Sequence, residues 1–183
     1  MSGEYGKLIE GVEIHPLKIF KDDRGVVMRM VRADDEYFRF GDITQKKFGE
    51  IYFSVVEPHM VKAWHMHKEM TLRYACVAGR IQLALYDQRN DSPTLNMVNT
   101  LHLEGWPDFA DYNLVVIPPG IWNGFRSVVR SIESPVSGET SGIYGEAIVA
   151  NCSDRVHDPE EIMRAHPKEF HLQYEWGPYL VAG

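Results

Sequence analysis

Short runs of alternating polar and apolar residues, broken at close intervals by turn formers, constrain this chain more than any other feature. Gly11–Phe20 alternates and ends at the turn Lys21-Asp22-Asp23-Arg24-Gly25, and Val26–Val31 is a second run. Glu50–Val56 (EIYFSVV) is a third, closed by Glu57-Pro58-His59. Leu72–Val77 runs into Ala78-Gly79-Arg80, and Ile81–Tyr86 runs into DQRNDSP. Leu114–Ile117 is stopped by Pro118-Pro119-Gly120, and Ala147–Cys152 is the last clear run. Helical signals are few. Ala33–Phe38 predicts a short helix, and Asp158 ahead of Pro159-Glu160-Glu161-Ile162 is a start signal for another. Ser131–Gly145, rich in Ser, Gly and Thr, reads as an exposed loop. Many short strands and few helices predict an all-β sandwich or barrel. The expected organisation is one domain over residues 1–183, with a short helical or irregular tail from about residue 157.

A length of 183 residues suits one domain with a full apolar core. The net charge of −7, with no basic stripe, argues against a nucleic acid partner, although local cations can still hold a small anion. No apolar stretch approaches the roughly 20 residues that cross a bilayer. The N-terminus MSGEYGKLIEGVEIH lacks the apolar core of a secretory signal. The expectation is a soluble, cytoplasmic chain with no membrane partner. Cys76 and Cys152 lie far apart and form no CxxC pair, and Cys76 in YACVAG reads as a core residue.

Residues 63–69 read AWHMHKE. His65 and His67, two apart on a strand, share a face. They are open to three readings: a metal pair, one catalytic histidine with a polar neighbour, or two ordinary strand residues. Metal-binding double-stranded β-helix proteins add a Glu three or four residues later and a third His after a PxG turn. Here Glu69 comes too early, positions 71 and 72 are Thr71 and Leu72, and Asn123 stands where the third His belongs. The expectation is no metal and no other cofactor.

FKDDRG at 20–25, KAWH at 62–65, YDQRNDSPT at 86–94 and IPPGIWNGF at 117–125 occur in order. Together they resemble the dTDP-4-dehydrorhamnose 3,5-epimerase family, a metal-independent branch of the cupin superfamily, over about residues 12–160. The resemblance implies a double-stranded β-helix, or jelly-roll barrel, with a few short helices. It implies a nucleotide-linked 4-keto sugar as substrate and a homodimer with an exchanged N-terminal strand. The implied reaction is proton abstraction beside the ketone and reprotonation from the other face, in surface polysaccharide or related deoxysugar synthesis. That chemistry needs a base, an opposed acid and cations near the enolate oxygen.

On this resemblance His65 is the base, with a reference pKa of about 6.5. Lys62 falls on a family Arg and keeps its charge but not its bidentate fork. Arg24 falls on a diphosphate-binding Arg; the plainer reading is a turn residue paired with Asp22 or Asp23. His67 falls on a Gln and becomes a polar pocket wall, and Asn123 replaces a second site His. Three family residues are unmatched. The acid Tyr falls on or next to Ala150, the Asp that orients the base has no counterpart in the closing YEWGPYLVAG, and a Glu is replaced by Arg29. Tyr52 and Glu50 fall on sugar-pocket positions and share a strand face, so Tyr52 either supplies the missing phenol or is a core aromatic. Asp158 and His166 are candidates for the missing orienter. Trp64 and Trp122 either stack on the ligand or pack in the core. Asp87 and Arg89 read as a structural ion pair. The rival functions are a cupin that only binds a sugar nucleotide and, further off, a metal-dependent cupin oxygenase.

Overall fold

Each alternating run has one apolar face to bury, and two antiparallel sheets do so by lying face to face. The computed structural model describes residues 6–36, 48–133, 140–168, 170–172, 174–177 and 180–181. The first sheet runs β1 (Glu13–Pro16), β9 (Asn113–Ile117), β6 (Leu72–Ala78), β13 (Ala147–Ser153), β4 (Glu50–Val56). The second runs β14 (Ile162–Arg164), β5 (Met60–His67), β10 (Ile121–Ser127), β7 (Arg80–Asp87), β8 (Val98–Glu104), with β15 (Leu180–Val181) parallel to β5. β2 (Ile19–Asp22) and β3 (Gly25–Met28) form a hairpin across the DDRG turn. This is the jelly-roll barrel that the strand pattern and the resemblance predict.

The core lies between the sheets. Leu72, Tyr74 and Cys76 of β6 point inward against Leu83 and Leu85 of β7 and Phe125 of β10. A fully buried Leu of this kind contributes about 2 kcal/mol. The two outer faces are covered differently. The β2–β3 segment lays Ile19, Val26 and Met28 on Ala75, Leu114 and Val116 of the first sheet. Phe170 and Trp176 of the C-terminal segment cover Trp64, Ala84 and Trp122 of the second. The outer side of β4 stays bare, with Ile51, Phe53 and Val55 exposed at 46%, 63% and 50%.

Three expectations change. Ser131–Gly145 is not a plain loop, because β11 (Arg130–Glu133) pairs with β12 (Thr140–Tyr144) within it. Asp158 starts no helix: residues 159–161 turn and feed β14. Edge pairing of β14 with β5 outweighs the local helix signal there. At Ala33–Phe38, residues 33 and 34 form a turn, and residues 37–38 lie outside the described part. The described residues contain no α-helix. The Asp87–Arg89 pair forms as expected at 2.9 Å, and Asp87 also accepts from Thr94 Oγ1 at 2.7 Å. Burial pushes the Asp87 carboxyl up, but hydrogen bonds from Arg89, Ser92 and Thr94 outweigh it and hold it well below the usual carboxylate range.

Candidate active site

A bulge in β5 builds the site. Asn123 of β10 pairs with His65 and Phe125 pairs with Lys62, so two residues of β5 stand opposite Gly124 alone. A strict period of two would put Lys62 and His65 on opposite faces; the extra residue puts them on one. Gly124 permits this approach, since a Cβ there would lie 2.3 Å from Ala63 Cβ. The same register turns Trp64 outward. His65 and His67 then line a cleft of roughly 700 Å³ with Lys62, Tyr52, Arg164 and His166. Although the chain is acidic overall, this cleft is rich in cationic and imidazole groups.

The groups form two linked sets. His65 Nε2 lies 3.4 Å from Tyr74 Oη, and Tyr74 Oη donates to Asn123 Oδ1 at 3.4 Å. Tyr52 lies beside Tyr74, close enough for the two phenols to influence each other's ionisation. Strand register explains that contact. Asn151 of β13 pairs with Tyr52 on one side and Tyr74 on the other, and this short residue lets the two phenols meet over it. Burial, with His67, Arg164 and Lys62 nearby, pushes the His65 pKa down to about 3. His65 is therefore a neutral imidazole near neutral pH. Burial raises the Tyr52 pKa, and it raises that of Tyr74 well above its ordinary value.

In the second set, His67 Nδ1 donates to Glu161 Oε1, and Glu161 Oε2 accepts from the Glu69 amide at 3.2 Å. Burial alone would raise the Glu161 carboxyl; these hydrogen bonds, His67 first, leave it lowered. Such a carboxylate fixes the tautomer and ring orientation of its imidazole.

The structure thus brings His65, His67, Lys62 and Tyr52 together. Lys62 Nζ donates to Ser54 Oγ on β4 at 2.8 Å, spanning the gap between the sheets. Glu50 stands apart from the cleft lining and accepts from the His157 amide at 3.0 Å. Asn123 is fully buried, and its Nδ2 donates to His65 O at 3.1 Å; it braces the base and Tyr74 from outside the cleft lining. Both indoles pack within the protein, and Trp64 also borders the cleft. The Trp64 ring meets Phe170 at 5.1 Å and Trp176 at 5.3 Å. Trp122 meets Phe170 at 4.8 Å and donates to Gln88 Oε1 at 2.7 Å. Arg24 sits at the hairpin turn, paired with Asp22 at 2.6 Å, outside this chain's cleft. Of the proposed orienters, Asp158 accepts from the Glu160 amide at 2.9 Å and His166 lines the cleft, but neither holds His65.

Tyr74, Glu161 and Arg164 escape the sequence reading. Tyr74 had a signal: it is the polar member of the inward row Leu72, Tyr74, Cys76. Glu161 and Arg164 were hidden inside a segment that reads as a helix start. Among the described residues, no group of three or more His, Cys, Asp and Glu side chains is arranged to hold a metal.

The profile of the family described as dTDP-4-dehydrorhamnose 3,5-epimerase matches residues 7–176. A probable low-salt glycan biosynthesis epimerase of Haloferax volcanii is 32% identical over 124 residues, covering 66% of this chain and 71% of the relative. A spore coat polysaccharide biosynthesis protein of Bacillus subtilis is 30% identical over 120 residues, covering 65% and 72%. The crystal structure of a dTDP sugar isomerase from Desulfovibrio desulfuricans superposes with a TM-score of 0.68 at 37% identity, covering 86% of this chain and 85% of that one. The match spans the barrel and every cleft strand, and with that extent the chain belongs to the dTDP-4-dehydrorhamnose 3,5-epimerase family.

Proposed function

We propose that this chain inverts one or both carbons beside the ketone of a nucleotide-linked 4-keto sugar, in the cytoplasm and in the service of glycan synthesis. The observation that carries this reading is the placement of His65 and Tyr52 in one cleft, with Tyr74 3.4 Å from His65 behind it, in a member of this family. His65, neutral at rest, takes the proton. Tyr52 returns one from the opposite face. Lys62 lies on the His65 face and stabilises the enolate oxygen. Arg164 adds positive charge for the diphosphate. No cofactor enters the scheme.

The working unit in this reading is a homodimer with exchanged N-terminal strands. Within one chain β1 pairs with β9 in place. In the dimer the outer face of the β2–β3 hairpin, with exposed Phe20 and Val27, would lie on the bare β4 edge of a partner. Arg24 at that hairpin's turn would then serve the partner's cleft.

Incubation in D2O with dTDP-4-keto-6-deoxyglucose, followed by NMR at the two carbons flanking the ketone, tests the reading. Deuterium entry that is lost in His65→Ala supports it. Among the described residues no carboxylate bonds His65, and this favours a second reading, a cupin that binds the sugar nucleotide without turning it over. Binding with no deuterium entry would select that alternative.

A further inference from the structure

Inverting two carbons in one encounter sets a problem that inverting one does not. After the first inversion the base holds a proton and the acid has lost one. Neither is ready for the second carbon until both are reset, and the bound sugar nucleotide stands between the cleft and bulk water. Tyr74 is suited to that reset. Its side chain is buried, at 3% exposure, and is absent from the cleft wall, so it does not touch substrate. Its hydroxyl lies 3.4 Å from His65 Nε2, and Tyr52, which like Tyr74 pairs with Asn151, stands beside it, close enough to make Tyr74 harder to ionise. Asn123 Oδ1, at 3.4 Å, gives the hydroxyl proton a resting acceptor. Separations of this length in a free enzyme shorten once substrate is bound.

We propose that Tyr74 relays a proton from His65 to Tyr52 while the sugar stays bound, so that one base and one acid serve both carbons in a single encounter. This rests on the epimerase reading of the cleft. In the first inversion His65 Nε2 takes the proton of one carbon and Tyr52 Oη gives its own to the opposite face. His65 Nε2–H then donates to Tyr74 Oη as Tyr74 O–H donates to Tyr52 O⁻. The imidazole, the buried phenol and the cleft phenol all return to neutral, and no outside proton is used. The direction is downhill. The His65 pKa is held down at about 3, and those of both phenols are raised, so the proton leaves imidazolium for phenolate. Tyr74, the harder phenol to ionise, passes the proton on without keeping a charge.

The test compares wild type with Tyr74→Phe, with enzyme in excess over dTDP-4-keto-6-deoxyglucose in D2O. Deuterium is followed at both flanking carbons of the same molecule. Wild type should label both at similar rates. Tyr74→Phe should label the first within about twofold of wild type and the second at least about tenfold more slowly. The ratio of the two carbons is internal to each molecule, so a fold or binding defect, which slows both alike, does not mimic the result. A second measurement needs no variant: the wild-type rate at the second carbon, plotted against deuterium content of the solvent, should curve, because two protons move together. An unchanged ratio in Tyr74→Phe, or a straight plot, overturns the relay and leaves the epimerase reading intact. Labelling of one carbon only in wild type also overturns it. No labelling at either carbon overturns both.

Discussion

His65 has a folded pKa of about 3 against an ordinary 6.5, and that gap ties stability to pH. Between those values the unfolded chain takes up a proton that the folded imidazole refuses. Stability should therefore fall as the pH drops through this window and be fully present above it. Urea unfolding at several pH values inside the window checks this, and His65→Gln should flatten the slope. The same neutrality means that the acid limb of kcat/KM should not fall near 6.5 on account of His65. Tyr52→Phe removes the hydroxyl proposed to return the proton and should slow inversion about 10²-fold or more. An unchanged rate would end the role assigned to Tyr52. The face of these residues was legible in part. Tyr52 could be read as cleft-facing from EIYFSVV by strand parity, because β4 pairs with β13 without a bulge along its whole length. Trp64 could not, because the face its indole takes depends on the β5 bulge, and AWHMHKE gives no sign of it.

At the scale of the elements, the bulge is what the sequence conceals and the site depends on. β5 carries Lys62, His65 and His67, yet its run MVKAWHMH mixes the two faces and reads as no clean strand. β4 and β13, both rich in apolar residues, are read within a residue of their true ends. β11 and β12 are hidden by their Ser- and Gly-rich composition; pairing with each other, not residue preference, makes them strands. β14 is a tertiary product, paired with β5 through Ile162–His67 and Arg164–His65. Gly124→Ala tests the bulge directly. The new methyl would meet Ala63 Cβ at 2.3 Å, with Ala63 Cα at 2.9 Å, and neither is a flexible chain end. The variant should lose about 1–3 kcal/mol in urea unfolding. It should also lose activity more steeply than stability, because relieving the clash pushes Lys62 away from the face it shares with His65. A stable Gly124→Ala protein with a normal rate would mean that the bulge is not what aligns the pair.

For the whole molecule, the bare face of β4 is the feature still to be accounted for. The other outer surfaces are covered by the chain's own hairpin and C-terminal segment. Among the described residues β4 is the last strand of its sheet, with one row of its backbone donors and acceptors open, and Ile51, Phe53 and Val55 stand out beside that row at 46%, 63% and 50% exposure. An edge both long and apolar invites a partner strand, and it carries none of the lysines or prolines that blunt free edges. The β2–β3 hairpin offers a matching apolar surface, with Phe20 at 48% and Val27 at 65% exposure. Two copies can satisfy both surfaces at once by symmetric exchange, each hairpin lying on the other's β4. The expected mass in light scattering is thus twice 21.0 kDa. The double substitution Ile51→Lys/Phe53→Lys places charge on the outer face and should give a monomer. It leaves inward Tyr52 in place, so if Arg24 serves the partner's cleft, the monomer should bind dTDP more weakly while its barrel stays folded. A monomeric wild type, or a double variant that remains dimeric, would remove β4 as the interface.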